Sequence, residues 1–324
     1  MDFRLVALER WLGAEFPAIR FTLAPASGDA SFRRYFRASL ADGRRFIAMD
    51  APPEQESCAA FLRVAGVFAA AGVHVPAIHA QDLLQGFLLL EDLGEETYLD
   101  GFNRRDPGQL YAAATEALIR IQLASRPGVL PAYDRALLER ELRLFPDWYL
   151  ARELRLELMP DDARALQAAF DLLLANNLAQ PKVFVHRDYH CRNLMVCEPM
   201  PGILDFQDAV HGPITYDLVS LLRDAYVRWE EPQVLDWTVR YWEKARKAGL
   251  PVHAEFAAFY RDFDWMGAQR QLKVVGIFAR LCHRDGKQRY LADIPPVLGY
   301  LLATCRRHRE LAPLAGLLER MAGA

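Results

Sequence analysis

The chain has 324 residues, of which 52% are hydrophobic and 25% are charged, and its formal net charge is −3 at pH 7. This balance is typical of a folded globular protein and excludes intrinsic disorder as the main state. No apolar run approaches the roughly 18–20 residues of a transmembrane helix, and the near-neutral charge disfavours nucleic acid and anionic membrane as partners.

Short β-type elements and two helices are predicted in the N-terminal part. A pair of β-type runs flanks Asp42-Gly43, a dipeptide that favours a tight hairpin turn. Apolar spacing, glycine stops and short apolar runs predict the helices Leu5–Leu12 and Glu54–Ala71 and the strands Tyr35–Ala38, Arg45–Met49 and Gly86–Asp92.

The remainder is predicted to be mainly helical, with a short β insertion in its middle. Three helices each open at an aspartate suited to capping, over Asp106–Ser125, Asp134–Leu158 and Asp161–Leu178. Three β-type pieces follow, over Lys182–His186, Asn193–Cys197 and Gly202–Phe206. After Pro213 the pattern is helical, with breaks near Gly249–Pro251 and Pro295–Pro296. We therefore predict an α+β fold.

The most informative motif is His186-Arg187-Asp188, with Asn193 after four further residues and then Asp205-Phe206. This order is the signature of protein kinases. Phosphoryl transfer needs a carboxylate beside the acceptor hydroxyl and hard oxygen ligands for Mg²⁺. We therefore predict Asp188 as the catalytic base, Asn193 and Asp205 as metal ligands, and His186 as a brace of the loop. The alternative is that these side chains merely form or cap turns.

At these residues the chain resembles the aminoglycoside phosphotransferase and choline kinase branch of the kinase-like fold, over most of its length. The resemblance implies a two-lobed α+β fold, with a small β-rich nucleotide-binding lobe (1–92) and a large, mainly helical catalytic and substrate-binding lobe (93–324). It implies ATP and Mg²⁺ as cofactors. It places Ser31 in the phosphate-covering loop, puts adenine at the backbone of Glu91 and Leu93, and makes Asp217 a tether of the catalytic loop.

Four segments, Gly28–Arg37, Met49–Glu54, His186–His190 and Asp205–Ala209, resemble more closely the bacterial anomeric kinases of cell-wall recycling. Those enzymes phosphorylate C1 of N-acetylmuramate and N-acetylglucosamine, so the resemblance implies sugar 1-phosphates that feed UDP-sugar synthesis. Two alternatives stay open. One is a kinase for another small acceptor, such as an aminoglycoside, choline or homoserine, and the other is a non-catalytic ATP-binding regulator.

The sequence departs from the kinase pattern at the third strand, where Met49 takes the position of the usual lysine. The glutamate that pairs with that lysine is also missing from the following helix. Either another cation grips the phosphates or the chain is a degenerate kinase. Arg33, Arg34 and Arg37 are the candidate cations, and strand alternation puts Arg33 and Arg37 on one face and Arg34 on the other. We favour Arg34; the alternative is that all three are solvated edge charges.

On the acceptor side, we predict that His190, Asp208 and Arg187 contact the substrate. His190 and Asp208 are placed to meet sugar hydroxyls. Arginine forks suit carboxylates, so Arg187, Arg223 and Arg228 are the candidates for the lactyl carboxylate of N-acetylmuramate. The sequence does not choose among the three. The alternatives are that His190 braces the loop, that Asp208 caps the following segment and that the arginines form surface salt bridges.

The five cysteines are odd in number and irregularly spaced. Together with an N-terminus that lacks a secretory apolar block, they predict reduced thiols in a cytoplasmic protein. We expect a monomer whose partner is a small-molecule sugar, with neither nucleic acid nor membrane involved.

Overall fold

The computed structural model describes residues 2–27 and 32–322 of the chain. The chain divides into two compact units, one formed by Met1–Thr97 with Leu194–Asp208 and the other by Tyr98–Asn193 with Ala209–Ala324. In the part that the structure describes, no helix has both the length and the apolarity needed to cross a bilayer.

Strands concentrate in the first unit and helices in the second, which confirms the predicted α+β class. The strands are β1 (Phe21–Ser27), β2 (Arg34–Leu40), β3 (Arg45–Asp50), β4 (Ile78–Asp82), β5 (Phe87–Glu91), β6 (Lys182–Val185), β7 (Leu194–Met195), β8 (Gly202–Ile203) and β9 (Val210–Pro213). The helices are α1 (Phe3–Glu15), α2 (Cys58–Ala70), α3 (Tyr98–Gly101), α4 (Pro107–Leu123), α5 (Arg135–Leu144), α6 (Pro160–Ala179), α7 (Tyr216–Leu222), α8 (Glu231–Lys247), α9 (Phe256–Asp285), α10 (Ile294–Arg307) and α11 (Ala312–Ala322).

The first unit is built on an antiparallel sheet with the strand order β1-β2-β3-β5-β4. The predicted hairpin is β2 with β3, and the predicted buried strand is β5. The apolar side of α1 packs on one face of this sheet through a core of Leu8, Trp11, Leu12, Phe16, Ala38, Leu40, Ala48, Phe87 and Leu89. α2 begins later than predicted, at Cys58, because the Ser57 hydroxyl caps it by accepting from Ala59 N at 3.1 Å.

The second unit confirms two of the three predicted aspartate caps. The side chains of Asp106 and Asp134 accept from backbone N–H groups in the first turns of α4 and α5. The third prediction is wrong, because α6 starts at Pro160 and leaves Asp161 inside its first turn, where the helix dipole favours it. The predicted helix through Leu158 is also too long: α5 gives way to a π-helical segment, Phe145–Glu153, that ends it early.

The β insertion is shared between the units. β6 pairs with β9 in the second unit, while β7 pairs with β8 in the first. The sequence predicts β6, β7 and β8, each longer than observed, and misses β1, β4 and β9. The break predicted at Pro295–Pro296 is the first turn of α10, where proline is tolerated because its missing N–H would have no helical partner.

Candidate active site

The loop after β6 carries the predicted catalytic motif and lies wholly in the second unit. Backbone N–H groups of His186 and Arg187 donate to the two carboxylate oxygens of Asp217, at 2.6 and 3.0 Å. Arg187 has a φ of 78°, a backbone conformation that a residue other than glycine adopts only where its surroundings hold it. The Asp188 N–H donates to His186 Nδ1 at 3.2 Å. His186 and Asp217 therefore brace the loop, as the sequence predicts.

Asp188, the predicted base, is held in its charged form. Burial opposes ionisation, but the cations Lys273 and Arg270 outweigh it and hold the pKa of Asp188 at about 2. Both cations lie on α9 and are themselves buried, with 5% and 7% of their surface exposed. Neither residue was predicted from the sequence. The available signal was a polar run, Gln269–Gln271, inside a helix whose flanking residues are apolar.

Glu141 on α5 is the counter-charge for this cluster of cations. Its carboxylate pairs with Arg187 at 2.6 Å and with Lys273 at 3.1 Å, and it accepts a hydrogen bond from the Tyr133 hydroxyl. Lys273 also donates to the Tyr216 hydroxyl at 2.8 Å. Burial opposes ionisation of Glu141, yet the two cations hold its pKa below the usual value. The structure thus places the guanidinium of Arg187, predicted to contact the acceptor, on a buried carboxylate.

Asn193, a predicted metal ligand, closes the catalytic loop. Its Nδ2 donates to the Asp188 carbonyl oxygen at 2.9 Å, and its backbone N–H donates to the His190 carbonyl at 2.9 Å. The first bond fixes the orientation of the amide, so that its oxygen points away from the Asp188 carbonyl. An amide oxygen in a fixed orientation is a suitable ligand for a hard cation.

Asp205, the other predicted metal ligand, belongs to the first unit and follows β8. Its φ is 60°, and its Oδ1 accepts from Gln207 Nε2 at 2.8 Å. The next residue, Phe206, is fully buried, with its ring centroid 4.8 Å from that of Phe61 on α2. This aromatic contact anchors the backbone beside Asp205. Asp208, predicted to meet a sugar hydroxyl, is exposed at the end of the unit.

The predicted adenine-binding segment lies at the end of β5 in the same unit. The Glu91 carboxylate accepts from the Ala77 N–H and hydrogen-bonds to His74 Nε2, both at 3.1 Å, so its side chain serves the fold. Leu93 is buried against the β7–β8 hairpin. A Cβ added at Gly202 would lie only 2.8 Å from Leu93 Cδ1, so the absence of a side chain there allows this close contact.

Arg34, the cation favoured by the sequence analysis, is engaged on the α1 side of the sheet. Its Nε and Nη2 contact the buried Asp50 carboxylate at 3.0 and 2.5 Å, and it also pairs with Asp2. It shares its face of β2 with Phe36, which packs against the α1 core. Met49, predicted to take the position of the usual lysine, is completely buried.

The other two candidate cations also have carboxylate partners. Arg33 pairs with Glu56 at 3.0 Å, with 11% and 26% of the two side chains exposed. Arg37 pairs with Asp92 at 2.7 Å. Glu56 stands immediately before the residue that caps α2, so the Arg33–Glu56 pair joins the start of β2 to the start of that helix. The predicted contact at Ser31 lies outside the described residues.

Two of the predicted acceptor contacts have contrasting environments. Burial lowers the pKa of His190, whose Nδ1 is enclosed and has no hydrogen-bond partner within residues 2–27 and 32–322. Arg223, a candidate for the lactyl carboxylate, instead pairs with Asp264 at 2.7 Å, and both side chains are 1% exposed. Arg228, the third candidate, is exposed on the segment before α8.

Comparison with known proteins identifies the family. Residues 22–259 match the model of the phosphotransferase enzyme family. The chain belongs to the phosphotransferase enzyme family. A relative in Pseudomonas aeruginosa is 53% identical, with 99% of this chain and 97% of the relative covered. Another in Neisseria meningitidis is 50% identical, with 99% and 96% covered. Both relatives are named N-acetylmuramate/N-acetylglucosamine kinase.

Solved structures confirm the protein-kinase-like fold of this phosphotransferase, with its small β-rich and large helical lobes. A choline/ethanolamine kinase family protein from Mesorhizobium loti has a TM-score of 0.66 at 15% identity, with 98% of this chain and 99% of that chain covered. An ADP-bound aminoglycoside phosphotransferase has a TM-score of 0.60 at 12% identity, with 93% and 98% covered. At such identities the likeness concerns the fold.

Proposed function

We propose that this phosphotransferase transfers the γ-phosphoryl group of ATP to the anomeric C1 hydroxyl of N-acetylmuramate and N-acetylglucosamine. The observation that carries the proposal is the 50–53% identity, over essentially the whole chain, with relatives named as kinases of these two sugars. The resulting sugar 1-phosphates would serve peptidoglycan recycling in the cytoplasm, as precursors of nucleotide sugars.

In this proposal Asp188 orients the C1 hydroxyl and accepts its proton as the oxygen–phosphorus bond forms and ADP leaves. A carboxylate whose pKa is about 2 is ionised throughout the neutral range, so it is always able to accept a hydrogen bond from the hydroxyl. Asp217 accepts hydrogen bonds from the loop backbone, and Glu141 pairs with Arg187 and Lys273. These contacts keep the Asp188 carboxylate in place. Such positioning is the main contribution that a protein makes to phosphoryl transfer.

The donor set suits Mg²⁺. Asn193 offers an amide oxygen of fixed orientation and Asp205 a carboxylate, and hard oxygen ligands are those that Mg²⁺ prefers. We propose that these two residues hold the ion, which when bound neutralises charge on the phosphates. The backbone at Glu91 and Leu93 is proposed to bind adenine, and Ser31 to contact the phosphates.

For the missing strand lysine we propose Arg33 as the phosphate-binding cation instead of the predicted Arg34. Arg34 is committed to Asp50 and Asp2 on the face of the sheet that α1 covers. The Arg33–Glu56 pair instead lies just before β2 and α2, and a kinase lysine likewise pairs with a carboxylate of the neighbouring helix.

The test is ADP release with Mg-ATP across a panel of N-acetylmuramate, N-acetylglucosamine, glucose, kanamycin, choline and homoserine. We expect turnover on the two N-acetyl sugars and a loss of about 10²- to 10⁴-fold in Asp188→Asn. Asp171→Asn, the same change at an exposed site on α6, is the matched control and should retain activity. Turnover on another acceptor alone would refute the sugar assignment. No ADP release with any acceptor, while ATP still binds, would favour a non-catalytic ATP-binding regulator.

A further inference from the structure

A kinase that accepts both sugars must accommodate one substrate with a carboxylate and one without. N-acetylmuramate carries a lactyl carboxylate that N-acetylglucosamine lacks, so a cation near the base would favour the former. Arg187 and Arg223 do not meet this need, because Glu141 and Asp264 already neutralise them at 2.6 and 2.7 Å.

Arg192 is a cation of a different kind. It is exposed, it lies on the catalytic loop four residues after Asp188, and it forms no hydrogen bond or ion pair within the described part of the chain. Its guanidinium carbon lies 3.6 Å from the ring centroid of Tyr226. Stacking on a tyrosine face fixes the plane of a guanidinium and leaves its N–H edge available to a planar anion.

Tyr226 also contacts His190, with ring centroids 5.4 Å apart in an edge-to-face arrangement. His190 thus lies beside the same ring as Arg192, and its enclosed Nδ1 has no hydrogen-bond partner among the described residues. A buried polar atom without a partner is uncommon in folded proteins and calls for an external donor or acceptor. The His190 side chain as a whole is only partly buried, so a bound sugar that reaches its ring would supply one.

The two segments that carry these side chains are fastened together by one carboxylate. Asp224 accepts from Cys191 N through Oδ2 at 2.9 Å and from Tyr226 N through Oδ1 at 3.0 Å. Asp224 is itself buried, with 3% of its surface exposed. Arg192, His190 and Tyr226 therefore form a preorganised group whose relative positions are set by the fold.

We infer that Arg192, stacked on Tyr226, binds the carboxylate of an acidic amino-sugar acceptor while His190 bonds one of its hydroxyls. The inference rests on the proposed function and refines it. Arg192 acts as a specificity-determining residue, because the carboxylate contact raises affinity for N-acetylmuramate and contributes nothing to N-acetylglucosamine. The two sugars are therefore a natural pair of probes for this one contact.

The experiment compares kcat/KM of the wild type and Arg192→Met on the two sugars at fixed, moderate salt. We expect kcat/KM for N-acetylmuramate to fall about tenfold or more, mainly through KM, since one charge-assisted contact is lost. The value for N-acetylglucosamine should stay within about twofold. Arg192→Lys should restore part of the loss, because it returns the charge without the planar fork.

Arg246→Met is the matched control. Arg246 is also exposed and also stacks on an aromatic ring, with its guanidinium carbon 4.7 Å from the Trp242 centroid, but it lies on α8. This variant should leave both sugars unaffected. Arg228→Met tests the rival cation, and a loss specific to N-acetylmuramate in that variant alone would overturn the inference.

Two further outcomes overturn the inference while leaving the proposed function intact. Equal losses on both sugars in Arg192→Met would make Arg192 a positioning residue of the loop, and no loss on either would place the carboxylate elsewhere. Failure of the wild type to phosphorylate either sugar would instead refute the proposed function, and this inference with it.

Discussion

Replacing Glu141 by glutamine tests whether the buried charge cluster holds the catalytic loop. The substitution keeps the size of the side chain and an oxygen that can accept from Tyr133, but it removes the negative charge. Arg187 and Lys273 would then remain inside the second unit at 2.6 and 3.1 Å from a neutral amide. Arg187 would also lose the contact that helps to keep its backbone at a φ of 78°.

The expected cost follows from the burial of Glu141 and Lys273. Glu141 is 4% exposed and Lys273 is 5% exposed, so solvent screens the pair very little. Removing one partner of a buried pair lowers the free energy of unfolding by about 3–5 kcal/mol, because the remaining charge is left uncompensated. The retained hydrogen bond to Tyr133 moves the expectation to the low end, about 3 kcal/mol. That is a large fraction of the 5–15 kcal/mol that is typical of a folded domain.

Urea unfolding at pH 7 measures this change, with Glu139→Gln as the matched control on the same helix. Glu139 has no hydrogen bond or ion pair in the described part of the chain, so its variant should stay within about 0.5 kcal/mol of the wild type. Because the pKa of Glu141 is lowered in the fold, its stabilisation is complete above the ordinary value of 4.5 and is lost as pH falls further. The difference in the free energy of unfolding between Glu141→Gln and the wild type should therefore become smaller at acidic pH. A loss at pH 7 no larger than that of Glu139→Gln would refute the reasoning.

Three further variants test the loop and the nucleotide side. Asp217→Asn offers one acceptor to two backbone donors, so we expect the free energy of unfolding to fall by about 1–3 kcal/mol and kcat to fall as well. Unchanged values of both would show that Asp217 does not hold the loop. Lys273→Met should raise the pKa of Asp188, so the fall of kcat at acidic pH should begin at a higher pH. An unchanged pH profile of kcat would contradict the electrostatic role of Lys273. Arg33→Met should raise KM for ATP about tenfold without changing KM for the sugar, whereas Arg34→Met should mainly lower stability; the reverse pattern would restore Arg34 as the phosphate cation.

Features of the active site that are local in sequence could be predicted from the sequence. The motif from His186 to Asn193 lies on one loop, and the spacing that identifies it is the spacing that brings the Asn193 amide to the Asp188 carbonyl. The caps at Asp106 and Asp134 were predictable for the same reason, since a cap involves only residues within one helical turn.

Features that depend on distant pairing were not predictable. Glu141, Arg270 and Lys273 lie on helices, where charged residues ordinarily face solvent, and only the packing of α5 and α9 buries them around the loop that carries Asp188. Strand alternation correctly separated Arg34 from Arg37 within β2, but it could not tell which face α1 covers. The covered face is decided by apolar side chains of several strands, which come together only in the folded sheet.

The position of phosphate in the product tests most directly whether the phosphoryl group goes to the anomeric oxygen. Phosphorus–proton correlation NMR on the product from N-acetylglucosamine should show coupling between phosphorus and the proton on C1. Coupling of phosphorus to the protons on C6, or on any carbon other than C1, would show that the phosphoryl group goes to another hydroxyl, even if ADP release were fast.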